Sequence, residues 1–159
     1  MVSVTIEYVI LIPLLFTQVI IFPLVASTMT THWQETQLTI ELQDAADHLV
    51  STIQQLYLSV NGNEILTGTV TYASPVPVTI ASYPYTVDGQ LSNPIDDTAK
   101  VFTVILTLDN DVSTTVAASA VLGTNVQWVE SSFRSTSFDA IIIVEKFSNG
   151  TLSFTFGGS

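Results

Sequence analysis

Cysteine is absent from this 159-residue chain, so no disulfide can staple it, and its stability must come from a packed core, from assembly or from attached glycans. Basic residues are scarce as well. Three Lys and Arg stand against 14 Asp and Glu, a formal net charge of -11, and all three, Lys100, Arg134 and Lys146, lie in the last part of the chain. No basic patch is left to follow a phosphate backbone, so nucleic acid is not an expected partner. The two histidines, His32 and His48, are too far apart in sequence to form a metal pair one helical turn apart. No Gly-rich phosphate loop follows a strand-like run, and no nucleophile elbow occurs. An enzyme is therefore the least favoured class, and no cofactor or metal is expected.

Apolar sequence, by contrast, is abundant. The stretch VTIEYVILIPLLFTQVIIFPLVAS, residues 4 to 27, holds one carboxylate, Glu7, and no Lys or Arg. Its most apolar part, about 19 residues, would span roughly 28 Å as a helix, enough to cross the hydrocarbon core of a bilayer. A secretory signal would carry a basic n-region and a shorter apolar run, so the segment reads as retained. The Lys and Arg that usually flank a cytoplasmic helix end are missing on both sides.

The pattern then changes without a break. Leu38, Leu42, Ala45, Ala46, Leu49, Ile53, Leu56, Tyr57 and Val60 recur as one stripe of a 3.6-residue period, while Glu35, Glu41, Asp44, Asp47 and His48 fall off it. Asn61-Gly62-Asn63 supplies a left-handed residue suited to ending a helix. These signals predict one helix from about residue 4 to about residue 60, containing Pro13 and Pro23, each of which removes a backbone hydrogen bond. Beyond residue 63 the period drops to two. The runs EILTGTVTYA, PVPVTIA, YPYTV, KVFTVILTL, VSTTVAASAVL, NVQWVESSF, FDAIIIVEKF and TLSFTF read as about seven to nine strands, joined largely by hairpins. Asp88-Gly89 and Asn149-Gly150 suit tight turns in which both central residues have positive φ. The expected fold class is α+β, a long N-terminal α-helix followed by a small antiparallel β-sandwich or partly open barrel. The expected domains are a helix over residues 1–61 (apolar 4–27, amphipathic 33–60) and a β-domain over 62–159.

The residues VTIEYVILI place a polar residue two before Glu7, an aliphatic just before it and Tyr8 just after. An unbroken apolar run and an amphipathic continuation follow. This N-terminal pattern, over residues 1 to about 60, resembles that of archaeal type IV pilins, with archaellins as near relatives; Glu7 followed six residues later by Pro13 also resembles the start of TadE-like pseudopilins. The resemblance implies a subunit that sits in the membrane before assembly and then polymerises with copies of itself into an extracellular filament. It also implies that Glu7 meets the N-terminal amine of a neighbouring subunit, with mature residue one at Ser3 by counting back from Glu7. Assembly residues expected on this basis are Glu7, Tyr8, Pro13, Pro23, Leu42, Leu49 and Ile53, the last three on a stripe shared between the β-domain and neighbouring helices. Read from the residues alone, Glu7 is an interfacial carboxylate at a helix N-terminus, favoured by the macrodipole.

Other polar groups have plain readings. Asp44 and His48, at i,i+4, form a surface pair. Asp109-Asn110-Asp111 and Asp96-Asp97 read as polar turns, since a calcium loop would need a Gly and a distant bidentate Glu. Trp33, Trp128, Phe133, Phe147, Phe154 and Phe156 fall at core spacing, with a membrane-interface anchor as the alternative for Trp33. Asn149-Gly150-Thr151 matches the N-glycosylation acceptor pattern at a hairpin tip. The expectation is an extracellular filament subunit, adhesive toward a host or other surface and carrying glycans. The alternative is a single-pass membrane-anchored surface protein whose β-domain binds a ligand or partner.

Overall fold

The structure is a computed structural model that describes residues 2–62, 64–92 and 99–158, with side chains from Val9 onward. One α-helix, α1 (Val2–Asn61), is followed by eight strands, β1 (Gly68–Ala73), β2 (Tyr85–Ser92), β3 (Lys100–Leu108), β4 (Thr115–Leu122), β5 (Val126–Trp128), β6 (Ser132–Arg134), β7 (Ile141–Lys146) and β8 (Leu152–Gly157). The strands make two four-stranded sheets, ordered β1-β7-β8-β5 and β4-β3-β2-β6. The fold class is thus α+β, as the patterning predicts. All pairings between these strands are antiparallel except β5 with β8, which is parallel.

The chain divides into two compact units, Met1–Gln37 and Leu38–Ser159. This division falls well before residue 62, where the change of period places it. The reason is the amphipathic stripe: Leu42, Ala46, Leu49 and Ile53 have no exposed surface and share one core cluster with Tyr85, Val87, Phe102, Val104, Leu106, Ile142, Val144 and Phe154. The second half of α1 is therefore part of the β-unit rather than a stalk outside it. Gln43 Nε2 donates to Ala117 O near the start of β4, and Tyr57 Oη to Asn125 Oδ1 just beyond its end. Both contacts advance together along the two elements, Gln43 to Tyr57 on the helix and Ala117 to Asn125 on the strand side, so this part of the helix runs alongside β4 in the same direction.

Three local readings are corrected. Asp88-Gly89 is not a turn but lies within β2, opposite Ile105 and Val104 of β3. The glycine is there because a Cβ would overlap the indole ring of Trp128, which packs against the strand at that point. PVPVTIA is not a strand: its prolines cannot donate to a ladder, and the segment makes only the isolated bridge Ile80–Tyr83 around Ala81 and Ser82, whose φ angles are 46° and 72°. NVQWVESSF is not one strand but two, because the chain crosses between sheets at residues 129–131. There Ser131 Oγ donates to Val129 O and accepts the Phe156 N–H. At the helix end, Gly62 does not adopt the left-handed conformation, and Asn63 lies outside the described residues. Lys146, a buried residue of β7, meets the helix end: its Nζ donates to Val60 O at 2.9 Å and Gly62 O at 2.8 Å, a cation placed where the macrodipole favours it.

Asn149-Gly150 does form the β7–β8 turn, but only Gly150 has positive φ (82°). With Gly150 N–H bonded to Phe147 O and Phe147 N–H to Thr151 O, this is a three-residue hairpin ending in a left-handed glycine, not a two-residue turn with both centres left-handed.

The exposed apolar helix as a candidate membrane and assembly site

The first half of α1 has no core to join within its own unit. Thirteen large apolar side chains between positions 9 and 25, Val9, Ile10, Leu11 and Ile12 through Phe22, Leu24 and Val25, are each about half or more exposed, Phe22 at 75%. None of the most apolar 18-residue stretch of this helix is buried, and its length and composition are sufficient to cross a membrane. Each such side chain gains on the order of 1–2 kcal/mol on full burial, so covering the set is worth roughly 15–25 kcal/mol gross. A contiguous apolar surface of this size is far beyond that of a soluble monomer and marks a lipid- or protein-contacting site.

Four threonine hydroxyls on this helix are already satisfied internally. Thr17 Oγ1 donates to Pro13 O at 2.8 Å, Thr28 to Val25 O, Thr30 to Ala26 O and Thr31 to Ser27 O. Hydroxyls bonded back to their own turn can enter an apolar medium without an unmet donor, and they also favour gentle bending. Pro13 and Pro23 both lie inside the continuous helix. Each leaves the carbonyl four residues earlier without its N–H partner, a deficit that packed neighbours or local adjustment meets in membrane helices.

The sequence-predicted residues fall into two groups, one in each unit. Pro13 and Pro23 belong to the exposed apolar surface; the side chains of Glu7 and Tyr8 lie outside the described residues, as do Asp96 and Asp97. Leu42, Leu49 and Ile53 are at 0% exposure inside the β-unit, so they have no surface left to share with a neighbouring helix, and their expected role as a shared stripe is corrected to that of an internal core. The exposed apolar residues of this part of the helix are instead Ile40 and Leu58. Trp33 is 63% exposed rather than packed, and Phe147 is also exposed, whereas Phe133, Phe154 and Phe156 are buried. Trp128 meets Phe102 and Phe156 edge-to-face, each at 4.8 Å.

The chain's few cations are all engaged. Lys100 Nζ donates to Val126 O at 2.7 Å, Arg134 pairs with Asp109 at 2.5 Å, and Lys146 holds the helix end. Asp44 and His48 do not form an ion pair; His32 pairs with Glu35 at 3.9 Å instead. Asp111 lies in the β3–β4 turn, where its carboxylate accepts from Ser113 and Thr114 hydroxyls and the Ser113 N–H. These bonds hold its pKa below the ordinary value. Among the described residues, no group of three or more His, Cys, Asp or Glu is placed to hold a metal ion.

Comparison of the chain with protein-family models, with curated proteins and with solved structures finds no match.

Proposed function

We propose that the chain is the structural subunit of an extracellular filament of the type IV pilus kind, archaeal in character, and that it polymerises through the first half of α1. The observation that carries the reading is the fully uncovered apolar surface between positions 9 and 25, joined in one helix to a folded β-unit. In the membrane, lipid covers that surface; in the filament, the same surface of other copies does. The β-units then form the outer wall and supply adhesive contacts to a host or other surface. No active site is required for this work. The sequence pattern around Glu7 supports the same reading, since an isolated carboxylate in hydrocarbon is costly unless it meets a partner such as an amine.

The single-pass anchor uses the same helix and is separated by one substitution. Glu7→Leu removes a charge, so membrane insertion should be intact or improved in either case. Filament yield should fall under the assembly reading and stay unchanged under the anchor reading. Blots of membrane and sheared-surface fractions from wild type and variant, run side by side, discriminate the two. Equal filament yield with Leu at position 7 removes the proposed role of Glu7.

A further inference from the structure

The described asparagines differ sharply in what their side chains do. Asn125 Nδ2 donates to Asn61 Oδ1 at 2.8 Å and Gly150 O at 2.9 Å, and Asn61 Nδ2 donates to Tyr57 Oη at 3.2 Å, so both amides are held in place. Asn149 is exposed at the tip of the β7–β8 hairpin. Its Oδ1 accepts the Thr151 N–H at 3.0 Å, while its Nδ2 and the Thr151 hydroxyl make no hydrogen bond. It is also the chain's one Asn with Ser or Thr two residues on and a non-proline residue between. Nucleophilic nitrogen and neighbouring hydroxyl are thus both available, on a turn with no core side chain to displace.

A cavity of about 430 Å³ opens beside this tip. Ser148 and Gly150, the two neighbours of Asn149, form part of its wall, together with Asn61, Ile65, Leu66, Asn125 and Lys146. Leu66 is 80% exposed there, an apolar side chain among amide and hydroxyl groups. That mixture suits a pyranose ring, whose C–H face covers an aliphatic side chain while its hydroxyls meet amides and hydroxyls.

We infer that Asn149 is a site of N-linked glycosylation and that the first sugar residues of the glycan seat over this cavity. In the transfer, Asn149 Nδ2 forms a bond to the anomeric carbon of an oligosaccharide carried on a polyprenyl phosphate or diphosphate. The bond from that carbon to the lipid's phosphate oxygen breaks, the lipid phosphate leaves with the electron pair, and the amide proton passes to a base of the transferase. The inference requires that the β-unit be exported, and it does not depend on polymerisation.

The test uses the full chain recovered from the surface of cells that make it, digested and read by mass spectrometry. The peptide containing Asn149 should appear heavier by whole sugar residues in wild type and in Thr151→Ser, and at its bare mass in Thr151→Ala. Bare mass in the wild type, or an unchanged modification in Thr151→Ala, overturns the site. The seating is tested by melting temperature: the glycosylated chain should melt a few degrees above the sugar-free Asn149→Asp chain. Equal values overturn the seating while leaving the site itself to be judged by mass.

Discussion

Cutting the chain at residue 62 should unfold what remains, whereas cutting it at residue 38 should not. The first cut removes Leu42, Ala45, Ala46, Leu49, Val50, Ile53 and Val60, all of them in the core cluster with exposures of 7% or less. Five Val, Leu or Ile side chains at about 2 kcal/mol each, with smaller terms for two alanines, give about 11 kcal/mol of apolar burial on the helix side. The strand side chains that covered them lose a similar area, while the strands still have to be ordered. A domain of this size has a net stability of about 5–15 kcal/mol, so the loss is as large as the whole margin. The assay is a pair of soluble fragments, residues 38–159 and 62–159, followed by far-ultraviolet circular dichroism and thermal melting. The longer fragment should show mixed helix and strand signal and one cooperative transition; the shorter should show none. A cooperative melt of residues 62–159 within a few degrees of the longer fragment would refute the assignment of the helix to the core.

Lys146→Met keeps the aliphatic stem but removes two charge-assisted bonds to Val60 O and Gly62 O, at a cost of about 2–4 kcal/mol. The 38–159 fragment should melt roughly ten degrees lower, and a change of under about two degrees would show that the helix end is satisfied in another way. Gly89→Ala puts a methyl into the Trp128 ring, which is held between Phe102 and Phe156, so a loss of about 1–3 kcal/mol with an altered near-ultraviolet tryptophan signal is expected; wild-type values for both would contradict the packing. Because Asp111 titrates below its unfolded value of 3.8, its contribution is present above that pH and is lost as pH falls through the lower folded value. Carboxyl chemical shifts should place its midpoint below 3.8, and a midpoint at or above it would mean that the Ser113 and Thr114 bonds do not persist in solution.

The long helix was legible because its signals are redundant: apolar side chains at nearly every position through the twenties, then a stripe of period 3.6. The same stripe also told which face is buried, but not against what. A helix face that packs on its own β-unit and one that packs on a neighbouring copy have the same periodicity, which is why Leu42, Leu49 and Ile53 read as shared. Strand interiors rich in β-branched residues, such as KVFTVILTL, were clear from alternation alone. Asp88-Gly89 failed because a glycine required by a distant Trp128 is indistinguishable, in sequence, from one required by a turn. The role of Lys146 was equally hidden: a lysine at an inward position of β7 gives no local sign that a helix terminus lies in reach of it. Of the candidate site, the apolar surface was fully legible, whereas the fact that nothing in its own unit covers it required the fold.

The most direct measurement of the central proposal is electron microscopy of material sheared from the surface of cells that make this chain, with a helical reconstruction of whatever filament is found. The expected result is a filament whose core is a bundle of helices, with residues 9 to 25 buried against copies of themselves and the β-units outside. Filaments that lack this chain, or intact chain found solely in the membrane fraction with no filament present, would contradict it.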